Sequence, residues 1–322
     1  MGVGGRWRRL ARRNSLAAFG GGVVAVMLLA SLLAPWLAPY DPNGVDLSRR
    51  LQPPSARHRF GTDEVGRDLF SRVLDGGRRS IGSGVAVVAI ALAFGMVLGG
   101  LSGWYGGLVD LLLMRVMDVI LAFLVLAMAV AAALGPGLTS TVLAVAFVRI
   151  PVYVRLVRAQ VLALREREFV EAAVALGAPG RRILKDHLLP NSLGPVVVQA
   201  TLDVGNAILL TATLSFLGLG VRAPAAEWGA MVNSGRAYLL DQWWYATFPG
   251  AAILITAMGF NLLGDGLRDA LDPRASAAGE RPSHGKGRPG QASLAPGGTY
   301  QGTTPVSEKK PPVGPSGGRV AR

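Results

Sequence analysis

The sequence contains no cysteine, and this absence removes disulfides, zinc–thiolate sites and cysteine nucleophiles from its possible chemistry. Its three histidines, at positions 58, 187 and 284, stand in no metal-ligand spacing. Charged residues make up only 16% of the 322 residues, compared with about 25% in an average soluble domain. Nothing in these residue counts points to a metal centre, a redox site or an ordinary soluble domain.

Several motifs that carry chemistry are also missing. There is no GxxxxGK[ST] phosphate-binding loop, no HExxH zinc-protease signature, and no GxSxG with a plausible histidine partner. His187 lies in an amphipathic stretch, which favours a packing or hydrogen-bonding role over that of a general base. We therefore expect a protein that is not an enzyme and that binds no metal, cofactor or nucleotide of its own.

Long apolar runs dominate what is present. The chain is 51% hydrophobic with a mean hydropathy of +0.39. These features predict an all-α polytopic membrane protein. The net charge of +13 would suggest nucleic acid in a soluble protein, but the arginines cluster at the ends of the apolar runs. Anchoring at an anionic, cytoplasm-facing membrane surface explains them more simply.

The apolar runs predict six membrane spans with a cytoplasmic N-terminus. The spans cover about residues 15–37, 81–103, 110–134, 138–156, 193–217 and 245–267. The second is rich in glycine and alanine, which predicts close packing against another helix. The chain therefore divides into four parts: a cytoplasmic N-terminus (1–14), a first span with an external loop (15–80), a core of five spans (81–274), and a Gly/Pro/Ser-rich tail (275–322). We expect this tail to be disordered in the cytoplasm.

Two features are expected on the outer side of the membrane. In the external loop, Thr62 or Asp63 is placed to cap a short helix, about residues 64–74, that lies along the membrane. Tryptophans at 228, 243 and 244 are typical of an outer aromatic belt.

The longest polar interruption in the second half of the chain is residues 165–191. It predicts two short amphipathic helices, at about 164–176 and 181–189. Gly177 is placed to end the first, because glycine accepts the left-handed conformation past a helix C-terminus. Pro190 is placed to end the second. A polar helix pair between two spans is suited to docking a partner at the membrane surface.

Polar residues inside the spans allow two interpretations. Asp203, Asn206 and Thr211 fall in the fifth span, where polar groups are costly and face either a translocation path or a structural partner such as an arginine. Arg149 stands toward the cytoplasmic end of the fourth span, where snorkelling to lipid head groups is the simpler expectation.

The stretch EAAVALG, followed by RRILKDHLLPN, resembles the EAA loop of ABC importer permeases. The residues that carry this resemblance are Glu171, Ala172, Ala173, Gly177, Arg181, His187, Leu189, Pro190 and Asn191. The resemblance implies a type I importer permease fold. It also implies that the first helix is a coupling helix, which inserts into a groove on a partner subunit that binds and hydrolyses ATP.

Further stretches are similar to the dipeptide, oligopeptide and nickel branch of that family. They are GTDEVGRDLFSRVLDGGRRSIGSG (61–84), LSFLGLGVRAPAAEWGAMV (214–232) and FPGAAILITAMGFNLLGDGLRDALDPR (248–274). The match is to the second of the branch's two permease subunits.

This resemblance implies a set of partners. They are a homologous permease, two ATPase subunits and an external solute-binding protein, in a bacterial or archaeal cytoplasmic membrane, with peptides or a related solute such as nickel as cargo. The alternative from the residues alone is a stand-alone secondary transporter or channel. That class predicts more ionisable residues along the spans than this chain carries.

Overall fold

A computed structural model describes residues 15–122 and 126–271, which fall within one compact unit. The expected cytoplasmic N-terminus (1–14) and the expected disordered tail (275–322) lie outside the described residues. Within the described ranges the chain forms eleven α-helices and no strand. They are α1 (Ser15–Leu32), α2 (Ala34–Leu37), α3 (Leu69–Tyr105), α4 (Gly107–Ala122), α5 (Leu126–Leu134), α6 (Leu138–Arg165), α7 (Glu168–Ala175), α8 (Gly180–Arg182), α9 (Leu189–Phe216), α10 (Trp228–Gly235) and α11 (Trp244–Leu271).

Five helical stretches are long and apolar enough to cross a membrane. They are Ser15–Leu32, Leu69–Tyr105, Leu138–Arg165, Gly180–Phe216 and Trp244–Ala270. A sixth crossing exists if α4 and α5 count as one span, since together they are apolar enough but meet at 84°. The all-α, multi-span architecture is thus confirmed. The third span, expected as one helix over 110–134, is instead two helices on either side of residues 123–125.

α3 packs closely against α6. A Cβ added at Gly95 would lie 2.3 Å from the Cβ of Tyr153, and one at Gly99 would lie 2.5 Å from the carbonyl oxygen of Val154. No side chain larger than hydrogen fits at either position, so the two backbones lie in direct contact. The expected close packing of this glycine-rich span is confirmed. α11 packs in turn against α1 and α9.

The helix expected over residues 64–74 is wrong in its start, its cap and its extent. α3 begins at Leu69 and runs unbroken into the second span. Its N-cap is Asp68, whose carboxylate accepts hydrogen bonds from the backbone N–H and hydroxyl of Ser71 at 2.8 and 2.7 Å. The reason is Gly66, whose φ of +79° places a left-handed residue where the expected helix would have run.

Thr62 and Asp63 hold the loop that precedes α3. The Thr62 hydroxyl accepts a hydrogen bond from the Gln52 N–H at 2.8 Å. The buried Asp63 carboxylate accepts one from Arg67 Nε at 2.6 Å and lies 3.6 Å from Arg72 Nε. Two buried guanidinium groups thus share one carboxylate, which compensates charges that would be costly to bury alone.

The loop between α9 and α11 is also fastened to α3. Arg72 donates hydrogen bonds to the carbonyl oxygens of Pro42 and Pro224 at 2.9 and 3.2 Å. Glu227 caps α10 by accepting hydrogen bonds from the Gly229 and Ala230 N–H groups. These contacts join both loops into one layer over this end of the bundle.

The expected aromatic belt is wrong for two of its three tryptophans. Trp228 is 1% exposed, and its Nε1–H donates a hydrogen bond to the Val73 carbonyl oxygen at 2.8 Å. Trp244 is also buried, whereas Trp243 is exposed. The fold has internal partners for these rings, and interior packing therefore takes precedence over the membrane interface.

The environment of Glu64 predicts how the stability of the fold depends on pH. Desolvation raises the pKa of this carboxyl group above its ordinary value. The group accepts a hydrogen bond from the Tyr245 hydroxyl and lies 3.5 Å from Arg67 Nη2. A raised folded pKa means that the protonated form stabilises the fold at low pH, and that this contribution is lost as the pH rises through the folded pKa.

We therefore predict that Glu64→Gln raises the unfolding temperature at pH 7.5, and that the gain disappears at acidic pH, where the wild-type carboxyl is itself neutral. Because the side chain is 27% exposed, the gain is no more than about 1 kcal/mol. Thermal unfolding in detergent across a pH series measures it, with Asp241→Asn, at an exposed position outside the helices, as control. A gain that does not depend on pH would contradict the prediction.

Candidate functional site

The polar segment 165–191, here called the EAA segment, lies at the end of the bundle where α3 ends. Arg165, the last residue of α6, donates a hydrogen bond to the Trp104 carbonyl oxygen at 3.3 Å. After a short turn, α7 begins at Glu168, and its first turn carries Glu168 and Glu171. Negative side chains there are favourable, because the free N–H groups of a helix N-terminus carry partial positive charge.

The turn after α7 matches the expected role of Gly177. This residue has a φ of +76°, and its N–H donates a hydrogen bond to the Val174 carbonyl oxygen at 2.9 Å. The Ala178 N–H donates to the Ala173 carbonyl oxygen at 3.1 Å. This pair of bonds is a Schellman motif, which ends a helix and reverses the chain within two residues. The first expected helix, 164–176, is thus present but shorter: α6 extends to Arg165, and α7 covers only Glu168–Ala175.

One face of α7 anchors the helix to the bundle. Val170 is buried in a cluster whose other buried members are Val157, Val161, Ile183, Leu184, Leu188 and Val196. Ala173 and Ala178 pack at the edge of this cluster. Of the three alanines that could permit close approach of a partner, Ala173 therefore faces its own bundle, whereas Ala172 and Ala175 are exposed.

Three apolar side chains of α7 and its closing turn are uncovered. Phe169, Val174 and Leu176 are exposed, and Leu176 is 88% accessible although it stands on a structured turn. Phe169 and Leu176 share one side of the helix, whereas Val174 lies about 140° from Phe169, on the other side of the buried Val170. Glu171 is exposed beside Val174. Exposed apolar side chains that flank the anchored side of a short helix are suited to contact with another protein.

The second expected helix is wrong in its type and its end. Residues 180–182 are α-helical, Ile183–Leu188 form a π-helix, and the chain continues directly into α9. Leu189 donates its N–H to the Leu184 carbonyl oxygen, five residues earlier. Pro190 stands in the first turn of α9 and does not stop the helix. A proline needs no N–H partner there, and the wider π-turn before it relieves the clash that its ring causes in an α-helix.

The remaining residues of the expected docking set lie on this continuous helix. Arg181, His187, Pro190 and Asn191 are all exposed. Asn191 Nδ2 donates a hydrogen bond to the His187 carbonyl oxygen at 2.6 Å. The structure thus places the set in two groups, one on α7 and one along the segment that leads into α9.

Trp104 connects the EAA segment to α3. A Cβ added at Gly180 would lie 2.9 Å from Trp104 Nε1, so the indole ring packs directly on the start of α8. The Arg165 guanidinium lies over the same ring, 5.7 Å from its centroid. The EAA segment and the end of α3 are therefore in direct contact.

Within the spans, Asp203 and Arg149 form an ion pair between α9 and α6. Arg149 donates hydrogen bonds from Nε and Nη2 to the two carboxylate oxygens, the Nε bond measuring 3.0 Å. The Tyr153 hydroxyl donates to the same carboxylate at 3.1 Å. Asp203 is fully buried and Arg149 is 20% exposed. The expectation that Arg149 snorkels to head groups is therefore wrong, because a buried carboxylate lies within its reach.

Asn206 and Thr211 lie in different environments. Asn206 is exposed on the surface of α9. Thr211 is buried, and its hydroxyl donates to the carbonyl oxygens of Ala207 and Ile208 and lies 3.4 Å from the hydroxyl of Ser83. The three candidate path residues thus do not converge on one site.

Sequence reasoning missed three contributors. The exposure of Phe169, Val174 and Leu176 is not visible in a periodic pattern, because the burial of Val170 and Ala173 beside them depends on distant helices. Trp104 gives no signal apart from its place at a span end. Glu227 is an unusual helix cap, since Ser, Thr, Asp and Asn are the preferred types.

The geometry defines a class of protein before any comparison. The described part of the chain holds no group of three or more His, Asp or Glu side chains able to bind a metal. What it does hold is a multi-span apolar bundle with an ion pair inside it and a short, largely exposed helix at one end. This combination is that of an integral membrane protein.

Comparison with known proteins supplies the family. Residues 95–277 match the model described as "Binding-protein-dependent transport system inner membrane component", and residues 5–54 match the "N-terminal TM domain of oligopeptide transport permease C". The chain is 59% identical over 255 residues to the probable D,D-dipeptide transport system permease protein DdpC of Escherichia coli K12, covering 79% of this chain and 86% of that protein.

Two other relatives extend the range of named cargo. The dipeptide transport system permease protein DppC of Alkalihalophilus pseudofirmus is 46% identical over 265 residues, or 82% of this chain and 87% of the relative. The glutathione transport system permease protein GsiD of Escherichia coli is 45% identical over 271 residues, or 83% and 89%. The chain belongs to the inner-membrane permeases of ABC importers, with the type I fold, and within them to the second-permease kind of the peptide-transport branch.

The ion pair within the spans generates a stability prediction. Asp203→Asn leaves the Arg149 guanidinium without its countercharge inside the bundle, which costs about 3–5 kcal/mol. We predict a large fall in folded yield and unfolding temperature for this variant and for Arg149→Met. The double variant Arg149→Met/Asp203→Leu should regain most of the loss, because it buries no charge. A double variant whose loss of stability equals the sum of the losses in the single variants would contradict this account.

Proposed function

We propose that this chain is the second permease subunit of an ATP-driven peptide importer and that α7 is its coupling helix. The observation that supports this proposal best is the exposure of three apolar side chains on the two sides of α7, a helix held by the buried Val170 and ended by the Gly177 turn. In this proposal Phe169, Val174 and Leu176 enter a groove on an ATPase subunit, with Glu171 at the rim.

The proposed assembly contains four further subunits. A homologous permease completes the translocation path, two ATPase subunits dock at the EAA segments of the two permeases, and an external binding protein delivers the cargo. ATP is bound by the ATPase subunits alone. With six spans and a cytoplasmic EAA segment, both termini of this chain lie in the cytoplasm of a bacterial or archaeal cell.

The proposed mechanism is alternating access by rigid-body motion. ATP binding closes the ATPase subunits and displaces α7. The turn at Gly177 and the packing of Trp104 against Gly180 pass that displacement to α9 and α3. Because α3 and α6 are in backbone contact, they move together. A stand-alone channel or secondary transporter would not need an uncovered surface of this kind at its cytoplasmic end.

Peptides of a few residues are the proposed cargo. The relatives described above are named for D,D-dipeptides, dipeptides and glutathione, which favours short peptides over nickel. Of the three candidate path residues, Asn206 is the exposed one, and we propose that it faces the path. Asp203 and Thr211 act from behind it, by holding α9 to α6 and α3.

The docking proposal predicts the effect of Leu176→Ser. Leu176 is 88% exposed and does not belong to the buried cluster around Val170, so the change should leave folding and insertion intact. We expect the purified variant, together with its partner permease, to retain at least tenfold less ATPase subunit. The complete transporter that contains the variant should lose ATP-driven uptake.

A second variant tests the turn after α7. Gly177→Val should uncouple ATP hydrolysis from uptake, because a β-branched residue is strained at a φ of +76°.

The matched control is Leu240→Ser, which removes a 99% exposed leucine elsewhere on the chain. This variant should retain the ATPase subunit at the wild-type level. If Leu176→Ser also retains it and hydrolysis stays coupled, α7 is not the docking helix. Uptake by this chain without any ATPase would instead support the stand-alone transporter.

A further inference from the structure

An apolar cavity of about 270 Å³ lies between α1, α3 and α11, at the end of the bundle where α3 begins. Its walls include Met27 and Ala30 of α1, Phe70 and Leu74 of α3, and Phe248 and Ile255 of α11. From Phe248 to Ile255 it follows about 10 Å of the α11 axis. Apolar cavities stay dry, and one of about 150 Å³ holds a benzene molecule, so this cavity has room for a longer hydrocarbon segment.

The fold encloses the cavity on two sides. At the loop before α3, Phe60 stacks on Phe248 with ring centroids 4.0 Å apart, and it meets Phe70 edge-on at 5.0 Å. On the side of the remaining bundle, Val73 and Trp228 are buried, and the Trp228 Nε1–H donates to the Val73 carbonyl oxygen at 2.8 Å. These walls are therefore held by contacts within the protein.

The third side of the cavity opens at Ile255. This residue is 47% exposed although it lines the cavity, and Leu254 and Met258 of the same helix are exposed beside it. An exposed apolar surface on a membrane span faces lipid or another span, because water does not reach it. The cavity therefore opens sideways to the hydrocarbon of the membrane.

The membrane interface lies level with the end of the cavity nearest the loop. The first apolar run ends with α2 at Leu37, and soon afterwards the Tyr40 N–H donates to the Ser71 hydroxyl in the first turn of α3 at 3.3 Å. Trp243 is exposed just before α11, with its ring centroid 6.0 Å from that of Phe248. Exposed tryptophans are typical of this interface. The cavity thus extends inward from the level of the lipid head groups.

Arg59 provides positive charge at that level. Its Cζ lies 5.5 Å from the centroid of the Phe70 ring, which is part of the cavity wall, and Arg57 is exposed two residues earlier. Among the described residues, neither guanidinium has a carboxylate or a hydrogen-bonding partner. Guanidinium groups bind phosphate through paired, charge-assisted hydrogen bonds.

We propose that this cavity holds one acyl chain of an anionic phospholipid, with Arg59 binding the lipid phosphate. The apolar walls, the opening toward the membrane and the arginine at head-group level match the two chemically different ends of such a lipid. A cargo side chain would have to enter from inside the bundle, where Val73 and Trp228 close the cavity. The site itself does not depend on the proposed function; only its placement in the outer leaflet does, through the cytoplasmic EAA segment.

Two variants with matched controls test the two halves of the site. Ala251→Phe places a ring inside the cavity, and Ala132→Phe, at an exposed position of α5, is its control. Arg59→Gln removes the charge at the opening, and Arg50→Gln, at an exposed position of the same loop, is its control.

The full-length chain is purified in detergent with the subunits that accompany it, and the binding of radiolabelled dioleoylphosphatidylglycerol is measured. Dioleoylphosphatidylcholine, which has the same chains but no net charge, and glycerol 3-phosphate, which has no chains, are the competitors. We expect a saturable site that prefers phosphatidylglycerol to phosphatidylcholine at least fivefold and from which glycerol 3-phosphate displaces nothing.

The variants should separate the contributions of the chain and the head group. Ala251→Phe should lower binding of both lipids at least tenfold, because the chain loses its cavity. Arg59→Gln should lower binding of phosphatidylglycerol at least threefold and reduce its advantage over phosphatidylcholine. Each control variant should change binding less than twofold.

Several results would overturn the site. They are equal binding of the two lipids by the wild type, displacement by glycerol 3-phosphate, and unchanged lipid binding by Ala251→Phe. If that last variant also loses an accompanying subunit, the cavity is a subunit contact instead. If Ala251→Phe does not fold, Arg59→Gln decides, and an unchanged preference for phosphatidylglycerol in that variant overturns the proposal. The assay measures lipid and not transport, so its result is independent of whether the chain imports peptides.

Discussion

The direct contact between α3 and α6 is the constraint on which the rest of this structure depends. Gly95 and Gly99 bring the two backbones together, and no side chain fits between them. α3 is about 55 Å long, so it joins the two ends of the molecule. Its first turns hold the preceding loop through Asp68 and Arg72, and its last turn meets the EAA segment through Trp104. A rigid pair of this kind can transmit a displacement at one end to the other.

Charged residues are buried at two places in the bundle, at the start of α3 and within the spans, and at each place they fasten different parts of the chain together. At the end where α3 begins, Arg67 and Arg72 share the Asp63 carboxylate and fasten the loop to the helix. Within the spans, Arg149 and Asp203 fasten α6 to α9. Such pairs contribute little net stability compared with well-packed apolar residues, but removing one partner is costly. They therefore fix which helices are neighbours more than they raise the overall stability of the fold.

In the EAA segment, local sequence determines where α7 ends, and tertiary packing determines the path of the chain before Pro190. The Schellman turn follows from Gly177 alone, since few other residues accept its backbone conformation. The π-helix before Pro190 does not, because proline usually ends a helix and here the neighbouring cluster of Val157, Ile183 and Leu188 holds the chain in a continuous path. The same cluster decides which face of α7 remains exposed.

The sequence by itself determined the all-α membrane architecture, most of the span positions, the end of α7 and the family, because apolar run length, helix-stop residues and a spaced motif are local properties. Only the tertiary structure decided that Asp203 meets Arg149 and that Trp228 is interior, where it donates to Val73. These contacts join residues 54 and 155 positions apart. A buried charge or ring takes the best partner the fold brings within reach, and no local pattern specifies that partner.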